Sequence, residues 1–228
     1  HSQLSRGYIE QAVTTLRRTG AANVGGMQVP VGTTPFEHAV AAATSSWMGT
    51  GGASHRTGGT EAEVDTVYLG VFDRAAIEAV GLFDERLIRN QDYELNIRLR
   101  KAGGTVVFDP ELSVGYTPRG SWKALAKQYF EYGQWKGIVL QKHPDSLKVR
   151  QLLPAMVTAV LAVCTAFGLR NRRVLGVPLA YGALVAIVTR KPRVAGVVAT
   201  IHLAWGAGFW MSVWRINSRA GSVLRQPR

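Results

Sequence analysis

Residues 90–100 read Asn90-Gln91-Asp92-Tyr93-Glu94-Leu95-Asn96-Ile97-Arg98-Leu99-Arg100, preceded by Val80-Gly81-Leu82-Phe83-Asp84-Glu85 and, further back, by Val67-Tyr68-Leu69-Gly70-Val71-Phe72. Asn90 stands at a favoured cap position, and Leu95, Leu99 and Ala102 share one helical face before Gly103 ends the run. Asp92 falls in the first turn, where unpaired amides stabilise a carboxylate as the anion and aim it at a cleft. Residues 64–70 have strand character, Asp73 caps a short helix closed by Gly81, and strands are predicted over 105–109 and 113–117. Strands alternating with helices imply an α/β layer architecture. On spacing alone, Asp92 and Glu94 also fit a plainer role as first-turn stabilisers, with Arg98 the i, i+4 partner of Glu94.

Upstream, Ser5 is placed to cap a helix whose Ile9, Ala12, Val13 and Leu16 follow the 3.6-residue period, and Gly20 ends it. A strand is predicted over 23–31. Thr34, with Pro35 at the first helical position, opens a second helix through Trp47. Gly49, Gly51, Gly52, Gly58 and Gly59 then break regular structure, so 48–60 is expected to be a mobile loop able to fold over a ligand or simply to link. Val67 and Leu69 are expected to face the core.

Downstream, Ser121 opens a helix to about Lys142 on which Leu125, Gln128, Tyr132 and Trp135 share one side. That aromatic face suits either the α/β domain or the lipid headgroup layer. Three apolar stretches follow, 152–169, 174–188 and 194–214, separated by Arg170-Asn171-Arg172-Arg173 and Arg190-Lys191-Pro192-Arg193. A bilayer crossing needs about 20 residues. The first and third stretches qualify; the middle one is short and carries Gly176, Pro178 and Gly182, which leaves it to cross with local thinning, re-enter, or pack inside a bundle. Three crossings would set six basic residues on one side against seven on the other, which orients nothing.

Composition follows the same division. The 228 residues carry a formal charge of +12, yet all fifteen acidic residues precede Gln151. The last third holds ten basic residues and no acid, which points to membrane association. The excess charge lies in and between apolar spans and not on a soluble face, which argues against nucleic-acid binding. A lone Cys164 excludes a disulfide framework, and 46% apolar content excludes wholesale disorder. The chain starts at His1 with no signal-like segment and is expected to be part of a longer protein.

The order of these motifs resembles the C-terminal half of the catalytic domain of glycosyltransferase family 2, inverting enzymes of GT-A fold that use nucleotide-sugar donors. It is most similar to the succinoglycan-type exopolysaccharide glucosyltransferases, through residues 21–26, 65–70, 90–96 and 128–136. The resemblance covers roughly residues 1–144. It implies an acceptor-side half of a GT-A domain over 1–120, an amphipathic interfacial helix over 121–144, and a transmembrane helical region with a basic tail over 145–228. The family's donor half would precede His1, so the isolated segment is expected to be inactive. The family's catalytic base falls on Asp92. Tyr68, Gly70, Gln91, Gln128 and Trp135 fall at substrate-binding positions, and His1 at the end of a metal-binding motif for Mg or Mn. Processive relatives carry Gln-Xaa-Xaa-Arg-Trp; here Glu131 stands where that arginine would be, which speaks against processive synthesis.

The resemblance also implies a nucleotide-sugar donor, a glycan or lipid-linked acceptor, a bilayer partner, and a place in the inner membrane with the catalytic part cytoplasmic. Glu94 is expected to point away from the cleft, so that Glu94→Gln costs little turnover. The competing expectation is a nonenzymatic membrane adaptor that binds anionic lipid and a protein partner.

Overall fold

Two patterns of apolar residues build two compact units, 1–119 and 120–228, in the computed structural model, which describes residues 2–218. In the first unit, β1 (Ser2–Leu4), β2 (Asn23–Pro30), β3 (Ala62–Glu63), β4 (Tyr68–Phe72) and β5 (Val106–Tyr116) form one mixed sheet in the order β1-β5-β2-β4, with β3 pairing β5. The central pair, β2 and β5, is parallel; the others are antiparallel.

Six helices accompany the sheet: α1 (Tyr8–Thr19), α2 (Pro35–Thr44), α3 (Trp47–Thr50), α4 (Ser54–Thr57), α5 (Arg74–Ala79) and α6 (Gln91–Lys101). Tyr8 and Ala12 of α1 pack on Val24, Val107, Leu112 and Val114. Val106 and Phe108, of opposite strand parity to Val107, join Val67 instead. Leu95 and Leu99 of α6 close over Ala22, with Phe72 and Ile77 beside them.

Two bulges interrupt the sheet. Gly25 pairs with Phe108 but Met27 with Ser113, so 109–112 loop out of β5, and Pro110 sits there without breaking a ladder. Gly26 makes this possible, because a Cβ on it would lie 1.9 Å from the Leu112 carbonyl oxygen. On the other edge, Val24 pairs with Val71 and Gly26 with Tyr68, which leaves one extra residue in β4.

Several predicted boundaries shift. The helix expected from Ser5 begins at Tyr8 behind Gly7, whose left-handed backbone and not a side chain forms the cap. The Thr34 helix is fixed by a capping box with Glu37 but stops at Thr44; Ser46 then caps a separate short turn. The Gly-rich stretch is partly ordered as α3 and α4. The strand expected over 64–70 lies at 68–72, and those over 105–109 and 113–117 are one bulged strand.

In the second unit, Ser121 caps α7 (Trp122–Lys142) through the Ala124 amide. A 3-10 turn (Pro144–Ser146) leads into α8 (Val149–Gly168), a second 3-10 turn (Arg172–Leu175) into α9 (Gly176–Thr189), and α10 (Pro192–Asn217) follows. Buried Lys136 donates to the Ser146 carbonyl at 2.8 Å and hydroxyl at 3.1 Å, fastening α7 to the turn after it. Val149–Gly168, Arg172–Thr189 and Pro192–Ile216 are all long and apolar enough to cross a membrane. The middle stretch reaches that length because the Asn171-capped turn runs straight into α9, an extension that apolar counting missed.

Candidate active site at the start of α6

Asn90 precedes α6 in the left-handed region, at φ 60°, a conformation its short polar side chain tolerates. It makes no side-chain cap, contrary to the expected role; its carbonyl instead accepts from the Glu94 amide at 2.9 Å. Asp92 follows within the first turn and accepts from the Tyr93 amide at 2.8 Å. Asp92 is an exposed residue, yet its pKa is raised above the ordinary carboxylate range. Desolvation is the main cause, and the Tyr93 and Asp92 amides pull the other way. A carboxylate that is reachable and more basic than usual is suited to accept a proton.

Glu94 has a different fate. It is fully buried and grips the Arg98 guanidinium through three contacts of 2.8 to 3.0 Å. Arg98 donates onward to the carbonyls of Val80 and Leu82, where Leu82 is itself left-handed at φ 59°. The i, i+4 pair is thus a clamp on the turn that leads toward Asn90. Glu94 is thus turned into the core, and Glu94→Gln, expected to cost little turnover, removes the buried counter-charge of Arg98, so its cost falls on stability.

One turn beyond Asp92, Asn96 accepts from Asn23 Nδ2 at 2.7 Å and donates to Thr66 Oγ1 at 3.1 Å, joining α6, β2 and the approach to β4. Among the described residues the buried Asn23 Oδ1 has no donor. It lies 2.1 Å from where a Cβ on Gly70 would stand, so the close approach that glycine permits at position 70 is made by Asn23. Tyr68 places its hydroxyl 3.0 Å from Ser2 Oγ. Leu69 is turned outward, 44% exposed at φ 45°, which corrects its predicted core position: it is the extra residue of the bulge, and buried Tyr8 holds its carbonyl at 2.9 Å.

Gln91 is exposed at the first position of α6. Gln128 and Trp135 belong to the second unit. On α7, buried Gln128 donates to the Tyr132 hydroxyl at 2.9 Å, while Trp135 is half-buried. His1 lies outside the described residues. Among the described residues no three of His, Cys, Asp or Glu gather. Sequence reasoning did not single out Asn23, Thr66 or Asn96; the available signal was Asn96, a polar residue one turn past Asp92 between core positions Leu95 and Leu99.

No family model matches the chain. It is 34% identical, over an alignment of 228 residues covering 96% of this chain and 69% of the relative, to the succinoglycan biosynthesis protein ExoA of Rhizobium meliloti (strain 1021). A shorter stretch of 79 residues, 34% of this chain and 25% of the relative, is 37% identical to dolichyl N-acetyl-alpha-D-glucosaminyl phosphate 3-beta-D-2,3-diacetamido-2,3-dideoxy-beta-D-glucuronosyltransferase of Methanococcus voltae. These relatives are glycosyltransferases of glycan biosynthesis. The chain belongs to the glycosyltransferase family that contains ExoA.

Proposed function

We propose that this protein is a membrane-bound inverting glycosyltransferase of family 2 and GT-A type, moving a hexose from a nucleotide sugar to a growing exopolysaccharide or lipid-linked glycan. The observation that carries the reading is Asp92: an exposed acidic residue with a raised pKa, on the first turn of α6, in a chain that aligns with ExoA over nearly its whole length. Asp92 takes the proton of the acceptor hydroxyl as that oxygen bonds to the anomeric carbon. The bond from that carbon to the nucleoside diphosphate breaks on the opposite face, so one displacement inverts the configuration.

Tyr68 and Gly70 are assigned to the acceptor side, and Gln91 to substrate binding. Gln128 and Trp135 rest on the family resemblance alone as substrate contacts. A divalent metal, Mg or Mn, belongs to the family chemistry and would be held mostly by residues outside this segment, and every step above uses protein groups only. The inner membrane, with the first unit cytoplasmic, is the location this chemistry requires, because nucleotide sugars are cytosolic.

The test is sugar transfer by the full-length parent enzyme, expressed in membranes and carrying Asp92→Asn. Retained donor affinity with lost turnover is expected, and wild-type turnover would move the base elsewhere.

A further inference from the structure

α10 has the length and hydropathy of a span, but its neighbours constrain how it runs. Its contacts with α7 rise together along both helices. Trp122 packs on Gly196; the space beside Gly133 is taken by Trp205 and Phe209; the Phe130 carbonyl fills the space beside Gly208; Ser212 fills that beside Gly137. The helices therefore run parallel and side by side for about 22 Å, at a rise of about 1.5 Å per residue. Whatever angle α10 makes with a bilayer, α7 shares it. Yet α7 carries Lys123, Lys127 and Glu131 at i, i+4 spacing, with Lys123 and Lys127 exposed and Lys127 3.9 Å from Glu131. A charged stripe along that length does not belong in hydrocarbon, where each such side chain costs roughly 2.5–3.5 kcal/mol or more at the centre.

The contact of α10 with α8 has the opposite sense. Trp210 Nε1 donates to the Ala155 carbonyl at 2.8 Å, whereas Thr158, further along α8, donates to the carbonyl of His202, further back on α10, at 3.2 Å. Pro154 and Thr158 both crowd Gly206 between them. Where they touch, α8 and α10 run in opposite directions. Three successive crossings would instead make the first and third spans run the same way.

From these two pairings we propose that α8 and α9 alone cross the bilayer, as a hairpin, and that α10 lies with α7 in the headgroup layer of the same leaflet. The face of α10 left open by α7 and α8 is Leu203, Ala207, Met211 and Trp214, an apolar stripe at helical spacing, and beside it Trp210, bonded to α8 through its indole N–H, keeps part of its ring exposed. Such a stripe fits the boundary between headgroups and acyl chains, where Trp is favoured. The lipid surface is its partner, continuous with the lipid around α8 and α9. This placement also resolves the orientation that three crossings leave undecided. Lys142, Lys148, Arg150, Arg190, Lys191 and Arg193 stand at one end of the hairpin against Arg170, Arg172 and Arg173 at the other, so the first group is cytoplasmic.

Single cysteines test this in the whole chain with Cys164→Ala as background. Lys148→Cys, Asn171→Cys, Lys191→Cys and Ser218→Cys are labelled in sealed membrane vesicles of each orientation with a membrane-impermeant maleimide. Positions 148, 191 and 218 are expected to react from one side and 171 from the other. If 218 reacts together with 171 while 191 stays with 148, α10 crosses and the proposal falls. If 191 reacts together with 171, α9 does not cross, and the proposal falls equally. Reaction of all four from one side would remove the hairpin altogether.

Discussion

The first unit hides its large apolar side chains and the second displays them. Phe108, Leu95, Leu99 and Leu112 are buried among sheet and helices, and the charges that accompany them inward are bonded, Glu94 to Arg98 and Asp109 to Thr15 at 2.6 Å. In α8 and α9, Met156, Phe167, Leu179 and Ile187 are more than half exposed, while the tight contacts of the second unit are made by glycines against backbone carbonyls. A mean hydropathy of +0.03 averages over these two patterns. The first unit gains stability by withdrawing apolar area from water. In the second, α7 and α10 associate through close backbone approach, which needs small residues.

The largest effect expected separates chemistry from support within the first unit. Asp92→Asn should lower turnover by about 10²- to 10⁴-fold while leaving the unfolding midpoint in place. Sugar-transfer kinetics and denaturant unfolding of the same full-length parent preparation check both halves. A lower midpoint with intact turnover would put Asp92 among the structural carboxylates.

Glu94→Ala should do the reverse. It leaves Arg98 without its buried partner and should cost about 3 kcal/mol of stability, the low end for a broken buried pair because Arg98 keeps some water. Turnover per folded molecule should change far less than in Asp92→Asn.

A methyl group then compares the two units directly. Gly26→Ala places a carbon 1.9 Å from the Leu112 carbonyl oxygen, and Gly133→Ala places one 2.0 Å from that of Trp205. Each should cost about 1–3 kcal/mol by overpacking, but in different places. Gly26→Ala should lower the unfolding midpoint of the first unit. Gly133→Ala should leave it unchanged and speed proteolysis after α7. If both variants moved both readouts, the two units would not be separate compact bodies.

The smallest effect is a pH dependence confined to the first unit. Glu37 accepts from the Thr33 amide and hydroxyl and the Thr34 amide, and these bonds hold its pKa down to about 2. The folded pKa lies below the unfolded value near 4.5, so the unfolded chain binds the proton more readily. The contribution is complete above about pH 4.5 and is lost as pH falls toward about 2. An acid titration followed by circular dichroism should show a shallower loss in Glu37→Gln, and identical acid limbs would remove Glu37 from the account.

What could be read in the sequence is what depends on neighbours in the chain. Thr34 with Pro35, Asp73 and Ser121 open helices where expected, Gly20 closes one, and the apolar runs after Gln151 are helical. What escaped depends on partners far away. The β5 bulge exists because Gly26 meets Leu112, and Leu69 faces outward because β4 takes an extra residue against β2. The Asn23–Asn96–Thr66 chain joins segments 73 and 30 residues apart. In the same way, the sequence offered the Glu94–Arg98 spacing but not the burial of Glu94 or the bonds Arg98 donates to the Val80 and Leu82 carbonyls.

Gly70 and Asn23 together set an order on how this protein can diverge. A lineage that acquired alanine at position 70 while Asn23 remained would force the new methyl onto the amide, so the change is open only after position 23 has become smaller. That first step removes the donor to Asn96. Positions 23, 70 and 96 therefore form one locus for drift, and inactivity in an isolated Gly70 variant would report on this internal dependence before it reported on any sugar.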